Sequence, residues 1–72
     1  MTPAAGMYTC SVVVPVYNSE ETLPLLLERL AAALPPLCAQ YEVILVNDAS
    51  RDGSWAVIER LAGQYPYVRG IN

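Results

Sequence analysis

Residues 9–17, TCSVVVPVY, decide how this chain folds. Val12, Val13, Val14 and Val16 crowd β-branched side chains into one short run, which suits a strand. The apolar residues do not alternate with polar ones; they run on. A continuous apolar run fits a strand covered on both faces, as in a parallel sheet. Pro15 stands near its end, where a ladder no longer needs the missing N–H. Residues 41–47, YEVILVN, form a second run of the same kind.

Between the two runs the pattern changes to helical. Asn18, Ser19, Glu20 and Glu21 read as a helix entrance: Asn or Ser caps, and the acids suit the positive end of the helix dipole. Leu23, Leu26, Leu27, Leu30 and Leu34 then recur at helical spacing. Pro24 belongs in the first turn, and Pro35-Pro36 ends the helix, which is expected over residues 20–34. Past the second run, residues 48–53 (DASRDG) make a turn rich in side-chain caps. A second helix is expected over 53–64, with Val57 or Ile58, Leu61, Ala62 and Tyr65 inward and Pro66 preventing continuation. Residues 67–72 (YVRGIN) open a third strand.

The order is βαβαβ, which implies an α/β fold with a parallel, Rossmann-like sheet. Right-handed crossovers in the sheet order 1-2-3 put both helices on one face and leave the other bare. Yet Val12, Val13, Val14, Ile44, Leu45 and Val46 supply apolar side chains to both faces. The expectation is a flexible leader over 1–8 and, over 9–72, one part of a larger α/β domain.

Composition agrees. The chain has 72 residues, 54% of them hydrophobic and 15% charged. That is apolar for a unit this small and implies surface meant to meet another part of a protein. The net charge is −3 and no basic cluster occurs, which argues against nucleic acid as a partner. The absence of His removes the commonest transition-metal ligand and general base. Cys10 and Cys38 have no paired spacing and are too few for a zinc site. A disulfide stands as the alternative; the expectation is two reduced, buried thiols in a cytosolic protein. Residues 1–7 lack the charged and apolar regions of a signal peptide. No apolar run approaches the ~20 residues that span a bilayer, so any membrane anchor is expected outside this chain.

In an open parallel sheet, ligands bind at the carboxyl ends of the strands. Two loops lie there, residues 15–21 and 47–53. They hold Tyr17, Asn18, Glu20, Glu21, Asn47, Asp48, Ser50 and Asp52. Neither carries a G-x-G-x-x-G or Gly-Lys-Ser/Thr phosphate cradle. Glu20, Glu21, Asp48 and Asp52, four of the seven acids, crowd this rim and repel a bare phosphate. The rim suits the other end of a nucleotide. Asp48 can accept from a ring N–H of uracil or guanine, Tyr17 offers a ring to the base, and Glu21 can accept from a ribose or base donor. Each residue alone also has a plainer use. Asp48 and Asp52 serve turns and caps, and Glu20 and Glu21 compensate a helix dipole. Ser50 and Ser54 are cap hydroxyls, Tyr17 is a loop aromatic, and Arg51 is a solvated charge.

Taken together, V-V-V-P-V-Y-N-S-E-E-T-L (residues 12–23) and V-I-L-V-N-D-A-S-R-D-G-S (residues 43–54) closely resemble the start of family-2 glycosyltransferases of the GT-A fold. The resemblance covers about residues 9–72. It implies that Pro15, Tyr17, Glu21 and Asp48 line the nucleotide pocket, and that Asn18, Asn47, Ser50 and Asp52 support the turns. Asn47 stands where many members have a first Asp. Ser19 departs from a frequent Glu, and Ser54 replaces the usual Thr. The spacing also resembles the branch that transfers sugars to polyprenyl phosphates at the cytoplasmic face of a membrane.

The resemblance implies a nucleotide-diphosphate sugar, UDP- or GDP-linked, as donor, and a hydroxyl or polyprenyl phosphate as acceptor. It implies a divalent cation, Mg or Mn, for the full-length enzyme and none held by this segment. The family's metal-binding D-x-D and its catalytic base are expected beyond residue 72. Partners are then the remainder of the transferase domain and, through the bare sheet face, a second copy. Two other readings stand beside it. A receiver-like interaction module of flavodoxin type wants an acidic pair after the first strand, where this chain has P-V-Y-N. A nicotinamide or methyl-donor Rossmann enzyme wants a Gly-rich first turn, which is missing.

Overall fold

The computed structural model describes residues 8–72, with the side chain of Tyr8 excepted. The leader expected over 1–8 falls outside these residues except for Tyr8, which opens the first strand. The elements are β1 (Tyr8–Val16), α1 (Leu23–Leu37), β2 (Cys38–Asn47), α2 (Ser54–Gln64) and β3 (Val68–Ile71). All three strands are parallel, in the order β1-β2-β3. Val12, Val43 and Val68 stand in register across the sheet, as do Val14, Leu45 and Gly70.

These rows face the helices. Val43 and Leu45 are fully buried, and Val12 and Val14 pack against the same core. From α1, Leu23, Leu27 and Leu34 are buried, with Leu30 beside them; from α2, Ile58 and Leu61. The two helices touch each other as well as the sheet. The alternate rows face away. Val13 is 61% exposed and Ile71 46%, with Pro15, Ile44 and Val46 on the same face. The sheet is thus covered on one side only.

Three boundaries differ from expectation by more than one residue, each for a local reason. The helix expected over 20–34 begins at Leu23, after Thr22, so Glu20 and Glu21 precede it. The carbonyl of Ser19 accepts N–H bonds from both Thr22 and Leu23, which makes a separate turn ahead of the helix. Neither Asn18 nor Ser19 caps it. Pro24 sets the start, because its missing N–H is harmless only in the first turn. At the far end, Pro35 and Pro36 lie inside the helix, which runs to Leu37. Their fixed φ suits a helix and their lost N–H groups fall in its last, exposed turn, where the Cys38 N–H still closes on Leu34. Strand β2 begins directly at Cys38, ahead of the expected residue 41.

The cysteines are the largest correction. Cys10 and Cys38 form a disulfide, with Cα atoms 6.1 Å apart, in place of the two reduced thiols expected. Their separation of 28 residues carries no signal in the sequence. Topology supplies it, because a parallel pair puts the start of β2 beside the start of β1. The ladder slips between Tyr8 and Thr9, which pair with Cys38 and Gln40 and leave Ala39 as an extra residue. At this same end Tyr41 and Tyr65 pack on Tyr67, ring centroids 4.8 and 5.6 Å away. Burial first, then the neighbouring Tyr41 and Tyr65, raises the Tyr67 phenol above its usual 10.0.

Two expected outcomes test this packing. A Cβ on Gly70 would stand 2.5 Å from Ile58 Cγ2 and 3.4 Å from the Trp55 ring. Gly70→Ala should therefore cost about 1–3 kcal/mol in urea unfolding, because α2 must shift to admit it. Replacing both cysteines by Ser should cost about 3–4 kcal/mol in the same assay, the loop-closure value for a ring of this length.

Candidate functional site

The carboxyl ends of β1 and β2 are adjacent because Val16 pairs with Asn47. The next residue on each strand is Tyr17 and Asp48. The Asp48 N–H donates to the Val16 carbonyl at 2.8 Å, so the ladder continues one step into the loops. The two candidate base-contacting residues therefore leave neighbouring strands side by side. Tyr17 is 59% exposed and Asp48 is exposed.

Beyond that step, side chains of each loop satisfy backbone groups of the other. The Asn18 N–H donates to Ser50 Oγ at 3.0 Å, and the Arg51 N–H donates to Asn18 Oδ1 at 2.8 Å. The Ser19 N–H donates to Ser54 Oγ at 2.8 Å, and the Glu20 N–H donates to Asp52 Oδ2 at 3.3 Å. Ser50 Oγ donates back to the Val16 carbonyl at 3.5 Å. Asp52 uses its other oxygen, Oδ1, to accept from both the N–H and the hydroxyl of Ser54 at the start of α2.

The bond from the Ser54 hydroxyl is the main reason that the Asp52 carboxyl is held below its ordinary 3.8; desolvation opposes it, and the N–H groups of Ser54 and Glu20 add to the lowering. Its ionised form is thus tied to the folded rim. That contribution is complete above the ordinary carboxylate value and disappears as pH falls through the lowered one.

The expected site residues separate into two groups. Asn18, Ser50 and Asp52 are consumed in joining the loops. Asn47 donates from Nδ2 to Asn72 Oδ1 at 2.7 Å, which ties β2 to the end of β3, while its own Oδ1 is buried and has no partner among the described residues. Tyr17, Glu21 and Asp48 are exposed, and their side chains make no hydrogen bond among the described residues. Pro15 lies exposed on the open sheet face opposite Val46.

Glu21 lines a shallow cleft with Asn18, Ser19, Glu20, Thr22 and Asp52, and neither Tyr17 nor Asp48 forms its wall. Ser54 is the residue whose part the sequence understated. It is fully buried and holds Ser19 from one side and Asp52 from the other. The signal for it was the D-G-S entry to α2, read only as a cap.

Among the described residues two non-glycine positions have positive φ, Asn18 at 46° and Ala49 at 50°. Asn tolerates this region; Ala is strained there. Among the described residues no three His, Cys, Asp or Glu side chains gather as cation ligands. Both Asp52 oxygens already accept hydrogen bonds from Glu20 and Ser54.

Ala49→Gly should raise stability by about 1 kcal/mol, and Asn18→Ala should lower it by about 2, from αL strain plus one lost bond. Asn18→Gly should lower it by only about 1, because glycine restores the φ but not the bond. Urea unfolding measures all three. Acidification below about pH 3.8 should raise amide exchange at Glu20 and Ser54 before the strands open. In Asp52→Ala that exchange should already be fast at neutral pH.

Comparison with known proteins agrees with this architecture. The profile described as Glycosyl transferase family 2 matches residues 11–72. The chain is 54% identical over 54 residues to an undecaprenyl-phosphate 4-deoxy-4-formamido-L-arabinose transferase of Photorhabdus laumondii, covering 75% of this chain and 17% of that protein. Enzymes of the same name from two strains of Pseudomonas fluorescens are 47% identical over 58 residues and 46% over 67, covering 81% and 90% of this chain. The chain spans 17% and 20% of the length of those two. Its parallel βαβαβ unit corresponds to the N-terminal part of a GT-A fold, and the chain belongs to glycosyl transferase family 2.

Proposed function

We propose that this chain is the nucleoside-gripping part of a transferase that moves a sugar from a UDP- or GDP-linked donor to a polyprenyl phosphate or another hydroxyl-bearing acceptor. One observation carries the reading. The rim spends Asn18, Ser50, Asp52 and Ser54 on its own construction and leaves Tyr17 and Asp48 free, side by side, at the carboxyl ends of parallel strands. Such strand ends are where open parallel sheets take nucleotides. In this reading Asp48 accepts from the base N–H, Tyr17 lies against the base, Glu21 accepts from the ribose side, and Pro15 shapes the edge of the pocket. The acidic rim keeps the diphosphate away from these loops.

The acceptor class rests on the names of the relatives, which act on undecaprenyl phosphate. The divalent cation, Mg or Mn, belongs in this proposal to the full-length enzyme, where it neutralises charge on the leaving diphosphate. The catalytic base belongs there too. No helix among the described residues is long and apolar enough to cross a membrane. The proposed setting is the cytoplasmic face of a membrane, reached through the lipid acceptor or other parts of the enzyme. The open sheet face with Val13, Ile44 and Ile71 receives the remainder of the transferase domain, and in the isolated chain it takes a second copy.

Amide chemical shifts test the site. UMP, UDP, GMP and GDP titrated into the chain should move resonances within residues 17–22 and 47–53, saturating in the millimolar range. Asp48→Ala should weaken the effective ligand about tenfold or more, the loss of a charge-assisted hydrogen bond. Shifts confined to the opposite end of the strands would refute the reading. Micromolar binding would refute the division between nucleoside and diphosphate halves. Sedimentation should show reversible association of the isolated chain, and a strict monomer that binds no apolar dye would refute self-association through the open face.

A further inference from the structure

We propose that Cys10 and Cys38 form a thiol–disulfide exchange site in which Cys10 takes a small-molecule thiol as a mixed disulfide and Cys38 resolves it. The site lies at the opposite end of β1 from the rim. Six residues separate Cys10 from Val16, roughly 20 Å along a strand. It is independent of the proposed nucleoside site.

The two sulfurs differ in access. Cys38 is 3% exposed and belongs to the apolar core. Cys10 is partly exposed at the margin of the same core. A buried thiol in apolar surroundings keeps its proton and is screened from solutes, so the first reaction from solution falls to Cys10. Once Cys10 carries a mixed disulfide, Cys38 is held by the fold within bonding reach, Cα to Cα 6.1 Å, and attacks it at high effective concentration.

The steps balance. In oxidation, the Cys10 thiolate attacks a low-molecular-weight disulfide, one thiol leaves, and a mixed disulfide forms on Cys10. Cys38 loses its proton and attacks Cys10 Sγ, and the second thiol leaves. The protein pair gives up two electrons and the small disulfide gains them. Reduction reverses both steps, with the small thiolate attacking Cys10 Sγ and Cys38 leaving. This chemistry also reconciles a disulfide with the cytoplasmic setting proposed above, where such bonds are chiefly transient or redox-sensing.

The experiment uses the reduced chain with glutathione disulfide as probe, acid quenching and peptide mass mapping. The wild type should show glutathione on Cys10 first, at least about tenfold faster than on Cys38, followed by the internal disulfide. Cys38→Ser should accumulate the Cys10 adduct. Cys10→Ser should stay unmodified in native buffer and react in urea. Glutathione appearing first or equally on Cys38 of the wild type would overturn the proposal, as would a wild type that keeps both thiols free throughout. The wild-type time course decides the matter even if a variant fails to fold.

Discussion

The parallel ladder between β1 and β2 is the constraint on which everything else rests. It sets Val16 beside Asn47 and carries on for one more bond, from the Asp48 amide to the Val16 carbonyl. That extra rung brings two chain segments separated by a whole helix to the same point in space. A sheet with β3 between β1 and β2 would scatter the two polar loops. The apolar runs that stabilise the ladder thus also decide where the polar chemistry collects.

The rim itself is built from short polar side chains that act as surrogate backbone. Four N–H groups that no helix or strand can satisfy find Ser50, Asn18, Ser54 and Asp52 across the gap. Unsatisfied backbone donors are costly wherever water is excluded. The loops are therefore tied most firmly at their inner edge, near buried Ser54, and are open at their outer edge, near Tyr17 and Asp48. Such a gradient is what a binding edge on a rigid base requires.

Much of this was legible in the residues because the signals were local. Valine runs, leucine spacing and two polar turns give the element order without knowledge of contacts, and the bare face follows once the strands are taken in the order 1-2-3. Boundaries failed where two local rules conflicted. Glu20 and Glu21 looked like first-turn acids, but Pro24 had the stronger claim to that turn. Pro35-Pro36 looked like a stop, but a helix tolerates both where its final turn meets water. The disulfide was illegible for a different reason: it depends on strand adjacency, which residue spacing does not encode.

Ala39 illustrates how much can hang on an unremarkable residue. Side chains along a strand alternate between faces, so positions 38 and 40 would ordinarily point the same way. Gln40 looks outward with Glu42, while Cys38 looks inward; the slip at Ala39 is what reverses the parity between them. A strand that ran through Ala39 without the slip would turn Cys38 toward the opposite side of the sheet from its partner. Sulfur chemistry in this protein is therefore licensed by a counting rule of the backbone, odd against even, as much as by the presence of two cysteines.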